Sequence, residues 1–273
     1  PMTEADELYY AVSIDGGEPV RYSASQNVIT LPDKGRHIVR VTMDGISGNI
    51  DKWNGEQGYA VKDITVNGGR IRAIRPTNNV IFYFGDGITE GVMSQGNSGI
   101  GANNSAVSTY AYKSAEALGS IPYFIAYGES GICQNGSFAN MLSTIDNLSA
   151  ARKESDSVKP SEIVINHGCN DNEVESETFK SELRKALTRL NAKYSDTPIY
   201  YAVPFSQSKA DEIREVCGEF ENVTVIETNG ITMTYQEDGI HPDADGHGNA
   251  AEVIADYIKT ARLGTNKYAD YIE

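Results

Sequence analysis

A continuous apolar run at residues 80–84 is the feature that most restricts the fold of this chain. The run reads Val-Ile-Phe-Tyr-Phe and ends in Gly85-Asp86-Gly87. A strand that is apolar at every position is buried on both faces, which is typical of a central strand in a parallel sheet. Three further strands of this kind are predicted downstream, at residues 161–166, 198–203 and 223–227.

Helical segments are predicted in the same part of the chain. Residues 177–194 place five apolar side chains at helical spacing, namely Phe179, Leu183, Leu187, Leu190 and Tyr194. Further helices are predicted at residues 106–118, 137–150 and 244–263, and the Gly- and Asn-rich residues 94–105 are predicted to form a loop. Alternating strands and helices predict an α/β fold, with a parallel sheet covered by helices on both faces.

The first 78 residues have a different pattern, without a helical period. Short segments rich in Val, Ile and Tyr alternate with turn signals, and they predict strands at residues 7–14, 19–25, 37–43, 60–66 and 70–74. Several strands at this spacing suggest a small β-sandwich. Residues 1–78 carry 9 basic and 10 acidic side chains, whereas the remainder carries 14 and 28. We therefore predict two domains, at residues 1–78 and 79–273.

The composition excludes several classes of protein. A net charge of −15 argues against nucleic acid or an anionic membrane as a partner. No run of 18 apolar residues is present, so no membrane-spanning helix is expected. The three cysteines are too few for a disulfide scaffold and lack metal-site spacing, although one disulfide stays open. We predict no metal and no cofactor. We also expect no signal peptide in this chain, while secretion or a cell-surface location stays open.

Four short polar segments lie at predicted strand ends or in loops. They are Gly85–Gly91, Gly128–Gly131, Gly168–Asp171 and Asp238–Pro242. Each alone has an ordinary explanation as a turn, a connection, a helix cap or a local Asp–His hydrogen bond. Sites in parallel α/β sheets lie at the carboxyl ends of the strands. The four segments together, in this order, therefore indicate a functional site better than any one of them does.

These segments resemble the four sequence blocks of the SGNH hydrolases, also called GDSL-type esterases. Gly85–Gly91 resembles Gly-Asp-Ser-Ile-Thr-Glu-Gly, and Gly131 matches the glycine of the second block. Gly168–Asp171 matches Gly-x-Asn-Asp, and Asp238–Pro242 matches Asp-x-x-His-Pro. The likeness covers about residues 79–262 and implies a three-layer α/β/α, flavodoxin-like hydrolase domain. The β-rich segment before it resembles the jelly-roll-like N-terminal sandwich of two-domain carbohydrate esterases.

The resemblance implies a role for each matching residue. His241 would be the general base and Asp238 would orient its imidazole. The oxyanion hole would consist of the backbone N–H groups of Gly87 and Gly131 and the side-chain amide of Asn170. The site would cleave a carboxylic ester, removing O-acetyl groups from a carbohydrate. An acylated carbohydrate is therefore the expected partner.

Other residues near the four segments are secondary candidates. Asp86 and Tyr127 are predicted to contact the substrate, and the loop at residues 94–105 is predicted to line an open polar pocket that suits a sugar acetyl group. Cys133 and Cys169 are predicted to be small buried side chains beside the site.

Gly87 stands where the family has its nucleophilic serine. Glycine has no hydroxyl, so the covalent acyl-enzyme route has no attacking atom, and we expect this chain to be nearly inactive. Two interpretations stay open. The chain is an inactive variant of an esterase, or it is a non-catalytic carbohydrate-binding pseudoenzyme of a surface or viral fibre protein. The joint presence of Asp238, His241 and Asn170 favours the first.

Overall fold

The N-terminal segment forms one antiparallel sheet in this computed structural model, which describes residues 8–48, 50–54, 61, 63–74, 79–136, 139–153 and 158–266. Its strands are β1 (Tyr9–Ile14), β2 (Val20–Ser23) and β3 (Val39–Gly45), in the order β2-β1-β3. The first three predicted strands are therefore confirmed. The described residues of this segment hold one sheet of the predicted sandwich.

The strands predicted at residues 60–66 and 70–74 are not found. Residues 63–66 and 70–74 have no regular secondary structure, and Ala60 and Lys62 lie outside the described residues. Ile64, Ile71 and Ile74 are each more than half exposed. Alternating apolar residues favour a strand only where a neighbouring strand pairs with them and a core covers their apolar face, and the described residues supply neither for these two segments.

The α/β unit is built on a parallel sheet of five strands. The remaining strands of the described residues are β4 (Val80–Gly85), β5 (Ile121–Ala126), β6 (Asn147–Ser149), β7 (Arg152–Lys153), β8 (Glu162–Asn166), β9 (Ile199–Ala202) and β10 (Val223–Ile226). The five-stranded sheet has the order β10-β9-β8-β4-β5, and β6 pairs with β7 in a separate hairpin. This is the flavodoxin-like order, so the predicted α/β fold is confirmed.

Six α-helices accompany these strands in the described residues. They are α1 (Gly87–Glu90), α2 (Tyr110–Ala117), α3 (Met141–Thr144), α4 (Ser176–Lys193), α5 (Ala210–Cys217) and α6 (Ala244–Asn266). None of these described helices combines the length and the apolar character needed to cross a membrane. The helices predicted at 177–194 and 244–263 are confirmed. In the helix predicted at 106–118, residues 106–108 form a 3₁₀ turn ahead of α2.

The helix predicted at residues 137–150 is wrong for most of its length. Among the described residues 139–150, only α3 is helical, and β6 begins at Asn147. The Asn140 side chain caps the start of α3 by accepting the N–H of Ser143 at 3.0 Å. The chain then turns into the β6-β7 hairpin, so apolar spacing that resembled one long helix belongs to two short elements.

Two apolar layers cover the sheet, one on each face. β4 alternates between them, with Phe82 and Phe84 in one layer and Ile81 and Tyr83 in the other. The first layer includes side chains from α3, α4 and α5, and the second includes side chains from α2 and α6. This arrangement is the predicted three-layer α/β/α architecture, and it explains why every residue of β4 is apolar.

A charged contact joins the N-terminal sheet to the α/β unit. Arg21 and Asp44 form an ion pair in which the Asp44 side chain is completely buried. Arg21 also donates to the carbonyl oxygen of Asn104 at 2.7 Å. The second oxygen of Asp44 accepts from the hydroxyl of Ser105 at 2.9 Å and the N–H of Val107 at 3.0 Å. The sheet is therefore fastened to the polar loop that follows α1.

Candidate active site

The turn after β4 places Gly87 at the start of α1. Asp86 caps this helix, because its Oδ1 accepts the N–H of Ile88 at 2.9 Å. The backbone of Gly87 lies outside the left-handed region. A Cβ added there would lie 3.3 Å from Cγ2 of Val92 and 3.6 Å from Cα of Gly128. Position 87 therefore accepts a side chain, with a small adjustment of Val92.

The other glycines of this segment are different. A Cβ at Gly85 would lie 2.0 Å from Oγ1 of Thr89. Gly91 has a φ of +100°, and a Cβ there would lie 2.3 Å from the carbonyl oxygen of Ser105. The backbone needs glycine at both of these positions, either for space or for a left-handed conformation. The backbone has no such need for glycine at position 87. Glycine there removes any nucleophilic hydroxyl, and neither space nor backbone conformation explains why it is glycine.

His241 and Asp238 form the predicted pair. Nδ1 of His241 lies 2.6 Å from Oδ2 of Asp238. Oδ1 of Asp238 accepts the backbone N–H groups of Ile240 at 2.9 Å and His241 at 3.0 Å. Burial works in the opposite direction, but the hydrogen bonds from His241 and the backbone hold the pKa of Asp238 below its usual value. An ionised Asp238 favours a proton on Nδ1, which leaves Nε2 as the basic nitrogen.

Asp86 links this pair to the turn after β4. Its carboxyl group is buried, which raises its pKa to about 6, although the N–H of Ile88 and the nearby His241 favour the ionised form. Asp86 was predicted to contact the substrate, and the structure shows its side chain as a buried helix cap beside position 87.

Asn170 and Gly131, the other predicted oxyanion-hole residues, lie on adjacent loops. The amide of Asn170 donates to the carbonyl oxygen of Ser130 at 2.9 Å and lies 3.4 Å from Oδ2 of Asp86. The N–H of Gly131 donates to the carbonyl oxygen of Gln134 at 3.1 Å. The structure thus brings Asn170 to the turn after β4. For Gly131 to serve as an oxyanion donor, its N–H would have to leave the Gln134 carbonyl.

Asp171 is a site residue that the sequence analysis missed. Its buried carboxylate accepts the backbone N–H groups of Ile132 and Cys133, each at 2.8 Å, and of Gln134 at 3.1 Å. A Cβ at Gly131 would lie 2.4 Å from Oδ2 of Asp171, so the loop approaches closely only because residue 131 is glycine. The available signal was the Asn-Asp pair, which the sequence analysis matched to Gly-x-Asn-Asp while giving a role to Asn170 and none to Asp171.

Tyr127 has a structural position that differs from the prediction. Its hydroxyl donates to the carbonyl oxygen of Leu148 at 2.6 Å. Its ring packs edge-on against Trp53, with the ring centroids 5.6 Å apart. Both side chains belong to the core, and burial raises the pKa of Tyr127 above its usual value. In this structure the Tyr127 hydroxyl is therefore hydrogen-bonded to the Leu148 carbonyl oxygen, and its ring packs in the core next to the loop after β5.

The three cysteines are free thiols, and the two buried histidines, His167 and His247, have lowered pKa values. The disulfide that the sequence left open among Cys133, Cys169 and Cys217 is therefore not formed in this structure. Burial lowers the pKa of His167 to about 4 and that of His247 to about 3, so both are neutral near pH 7. In the part of the chain that the structure describes, no three His, Cys, Asp or Glu side chains are grouped as metal ligands.

The polar loop at residues 94–105 contacts the segment that carries His241. Oδ1 of Asn97 accepts the N–H of Glu237 at 2.9 Å. The loop is irregular along its length, as predicted. It therefore lies beside the Asp238–His241 turn at the same edge of the sheet.

The fold is shared with carbohydrate esterases of known structure. No protein-family model and no functionally curated protein matches the sequence. A family 2 carbohydrate esterase with a carbohydrate-binding domain from Corynascus thermopiles (Myceliophthora fergusii) matches with a TM-score of 0.74 at 20% identity, covering 95% of this chain and 88% of that one. A family 2 enzyme from Clostridium thermocellum, solved with cellohexaose, gives 0.69 at 19%, covering 95% and 87%.

An acetyl xylan esterase from Butyrivibrio proteoclasticus matches in the same way. Its TM-score is 0.71 at 17% identity, and the match covers 96% of this chain and 86% of that one. The matches span both the N-terminal sheet and the α/β unit. The chain therefore shares the fold of these carbohydrate esterases, including the β-rich segment before the α/β unit.

Proposed function

We propose that this chain carries the site of a carbohydrate acetylesterase in which glycine occupies the nucleophile position, so that the chain as it stands is nearly inactive. The observation that carries the proposal is that position 87 lacks a side chain although its backbone has room for one and the proposed partner residues are in place. The backbone there accepts a side chain, while Asp238 and His241 still form a hydrogen-bonded pair at the same sheet edge. The carbohydrate esterases of the same fold support an ester of a sugar as the substrate class.

The proposed parent reaction follows the geometry of a serine esterase. A serine hydroxyl at position 87 would attack the acetyl carbonyl while Nε2 of His241 takes its proton. The N–H of residue 87 and the Asn170 amide would stabilise the oxyanion. His241 would then protonate the leaving sugar hydroxyl, and water would release acetate from the acyl-enzyme by the same steps. Asp238 would hold the imidazole in the required tautomer.

The test compares Gly87→Ser with Gly87→Ala, because both variants add a Cβ but only the first adds a hydroxyl. We expect Gly87→Ser to hydrolyse an activated acetyl ester and an acetylated xylo-oligosaccharide at least ~10³ faster than the unaltered chain. Gly87→Ala should stay at background. A folded Gly87→Ser variant that remains at background on both substrates would contradict the esterase proposal.

The second candidate is a non-catalytic carbohydrate-binding function. The specific observation in its favour is Gly87 itself, which leaves the position of the nucleophilic hydroxyl free for a bound sugar ester. Under this hypothesis Gly87→Ser stays inactive, and the unaltered chain binds an acetylated oligosaccharide in calorimetry. The deacetylated oligosaccharide is the matched control, and equal binding of both would show that the acetyl group is not recognised.

A further inference from the structure

Glu90 fixes the backbone that lies against position 87. This residue ends α1, and its Oε2 accepts the N–H of Gly128 at 2.8 Å. Gly128 belongs to the loop after β5, and its Cα would lie 3.6 Å from a Cβ at Gly87. A shift of the Gly128 backbone would therefore change the wall beside any side chain at position 87.

Lys52 brings a positive charge from the N-terminal segment to this carboxylate. Its ammonium group pairs with Oε1 of Glu90, the oxygen that does not hold Gly128. Only 13% of the Lys52 side chain and 15% of the Glu90 side chain are exposed. Water screens such a pair less than it screens a surface pair. The ionised form of a poorly hydrated carboxylate therefore depends more on its positive partner than that of an exposed carboxylate does.

The turn that carries Lys52 is itself held in place. Oδ1 of Asp51 accepts the N–H groups of Trp53 at 3.1 Å and Asn54 at 2.9 Å. Trp53 is buried in the core of the α/β unit, and its carbonyl oxygen accepts the N–H of Ala150 at 2.8 Å. Lys52 is therefore presented to Glu90 from a fixed turn, although it precedes the hydrolase unit in the sequence.

We propose that Lys52 is a positioning residue for the candidate active site. It compensates the charge of Glu90, which keeps the carboxylate against the N–H of Gly128 and holds the loop after β5 beside position 87. Without Lys52, the poorly exposed carboxylate of Glu90 has no positive partner and is stabilised by turning toward water. That movement breaks its hydrogen bond to the N–H of Gly128. The consequence for turnover rests on the proposed esterase function, whereas the link from Lys52 to Gly128 does not.

The first experiment therefore uses the chain with Gly87 in place. Amide hydrogen exchange at Gly128 is measured by NMR for Lys52→Met, which keeps the length and loses the charge, and for Lys52→Arg, which keeps the charge. We expect exchange at Gly128 to be at least ~10-fold faster in Lys52→Met and within ~3-fold of the unaltered chain in Lys52→Arg. Lys52→Gln is the second neutral variant if Lys52→Met does not fold.

The matched control is Arg40→Met. Arg40 also pairs across the same junction, with Glu116, which lies on α2 and not on a loop of the site. Its loss should leave exchange at Gly128 unchanged. If neutral variants of Lys52 leave Gly128 protected, or if Arg40→Met exposes it equally, the specific link from Lys52 to Gly128 is overturned.

The second experiment adds Gly87→Ser and measures kcat and KM on an acetyl ester. We expect Lys52→Met to lower kcat about 10-fold with KM within about 2-fold, and Lys52→Arg to restore most of kcat. Faster exchange at Gly128 with unchanged kcat would overturn the positioning role. Inactivity of Gly87→Ser alone would count against the proposed function, while the exchange data would still decide whether Lys52 holds Gly128.

Discussion

The buried contact between Asp44 and Arg21 gives a stability prediction that can be worked out from the structure. Asp44→Ala removes a carboxylate with no exposed surface, so Nε of Arg21, the hydroxyl of Ser105 and the N–H of Val107 lose this acceptor. Arg21 keeps its hydrogen bond to the carbonyl oxygen of Asn104. Removing one partner of a buried ion pair costs about 3–5 kcal/mol. Arg21 keeps 24% of its side chain exposed and can partly recover water, so we expect the lower end, about 3 kcal/mol.

Urea denaturation and calorimetry measure this loss. For a chain of this size a change of about 3 kcal/mol lowers Tm by roughly 6–12 °C. The matched control is Glu116→Ala, which breaks the pair between Arg40 and Glu116 across the same junction, with side chains 39% and 41% exposed. The control should cost less than about 1 kcal/mol. If Asp44→Ala costs no more than the control, the buried contact does not hold the N-terminal sheet against the α/β unit.

Two further predictions concern the site and its buried imidazole. In a Gly87→Ser background, His241→Ala should return acetyl ester hydrolysis to background, and retained activity would place the base elsewhere. Asp238→Asn should lower turnover while leaving the urea midpoint unchanged within error from that of Gly87→Ser alone. The pKa of His247 in the folded state is lowered to about 3, so the unfolded state binds the extra proton as pH falls from about 6.5. The free energy of unfolding should therefore decrease by up to about 1.4 kcal/mol per pH unit as the pH falls from about 6.5 toward 3. His247→Gln should flatten the dependence of this free energy on pH, measured by urea unfolding between pH 4 and 7.

The sequence predicted those parts of the fold that depend on local pattern. The apolar run of β4 and the apolar stripe of α4 give strong signals, because residues 81–85 of β4 and all five stripe residues are buried. β5 and α5 were not predicted. β5 lies at the edge of the sheet, is only partly buried and contains Pro122, so its strand signal is weak. α5 has Ile213, Val216 and Cys217 on one buried face, but its eight residues give this helical period only about two turns in which to show.

The site was predictable to the extent that its contacts are local or follow from strand ends. Asp238 and His241 are three residues apart in one turn, so their hydrogen bond needs no knowledge of the fold. The contacts made by Asp171 with the loop after β5, and by Lys52 with Glu90, join residues 37–39 positions apart along the chain. No spacing rule connects such residues, since their proximity results from the sheet order and from the packing of two units.

Position 87 shows most directly what the structure adds, because a Gly-Asp-Gly sequence does not say which glycine the backbone requires. A Cβ at Gly85 would lie 2.0 Å from Oγ1 of Thr89, whereas the nearest contact at Gly87 is 3.3 Å, to the end of the Val92 side chain. We therefore expect Gly85→Ala to destabilise the fold by about 2 kcal/mol or more, as overpacking in a closed space does. Gly87→Ala should stay within about 1 kcal/mol of the unaltered chain, because alanine also favours the first helical turn. Urea midpoints of the two variants compare these values directly. Equal destabilisation would mean that glycine at 87 is a backbone requirement, and the inactivity of a serine there could then be explained by distortion alone.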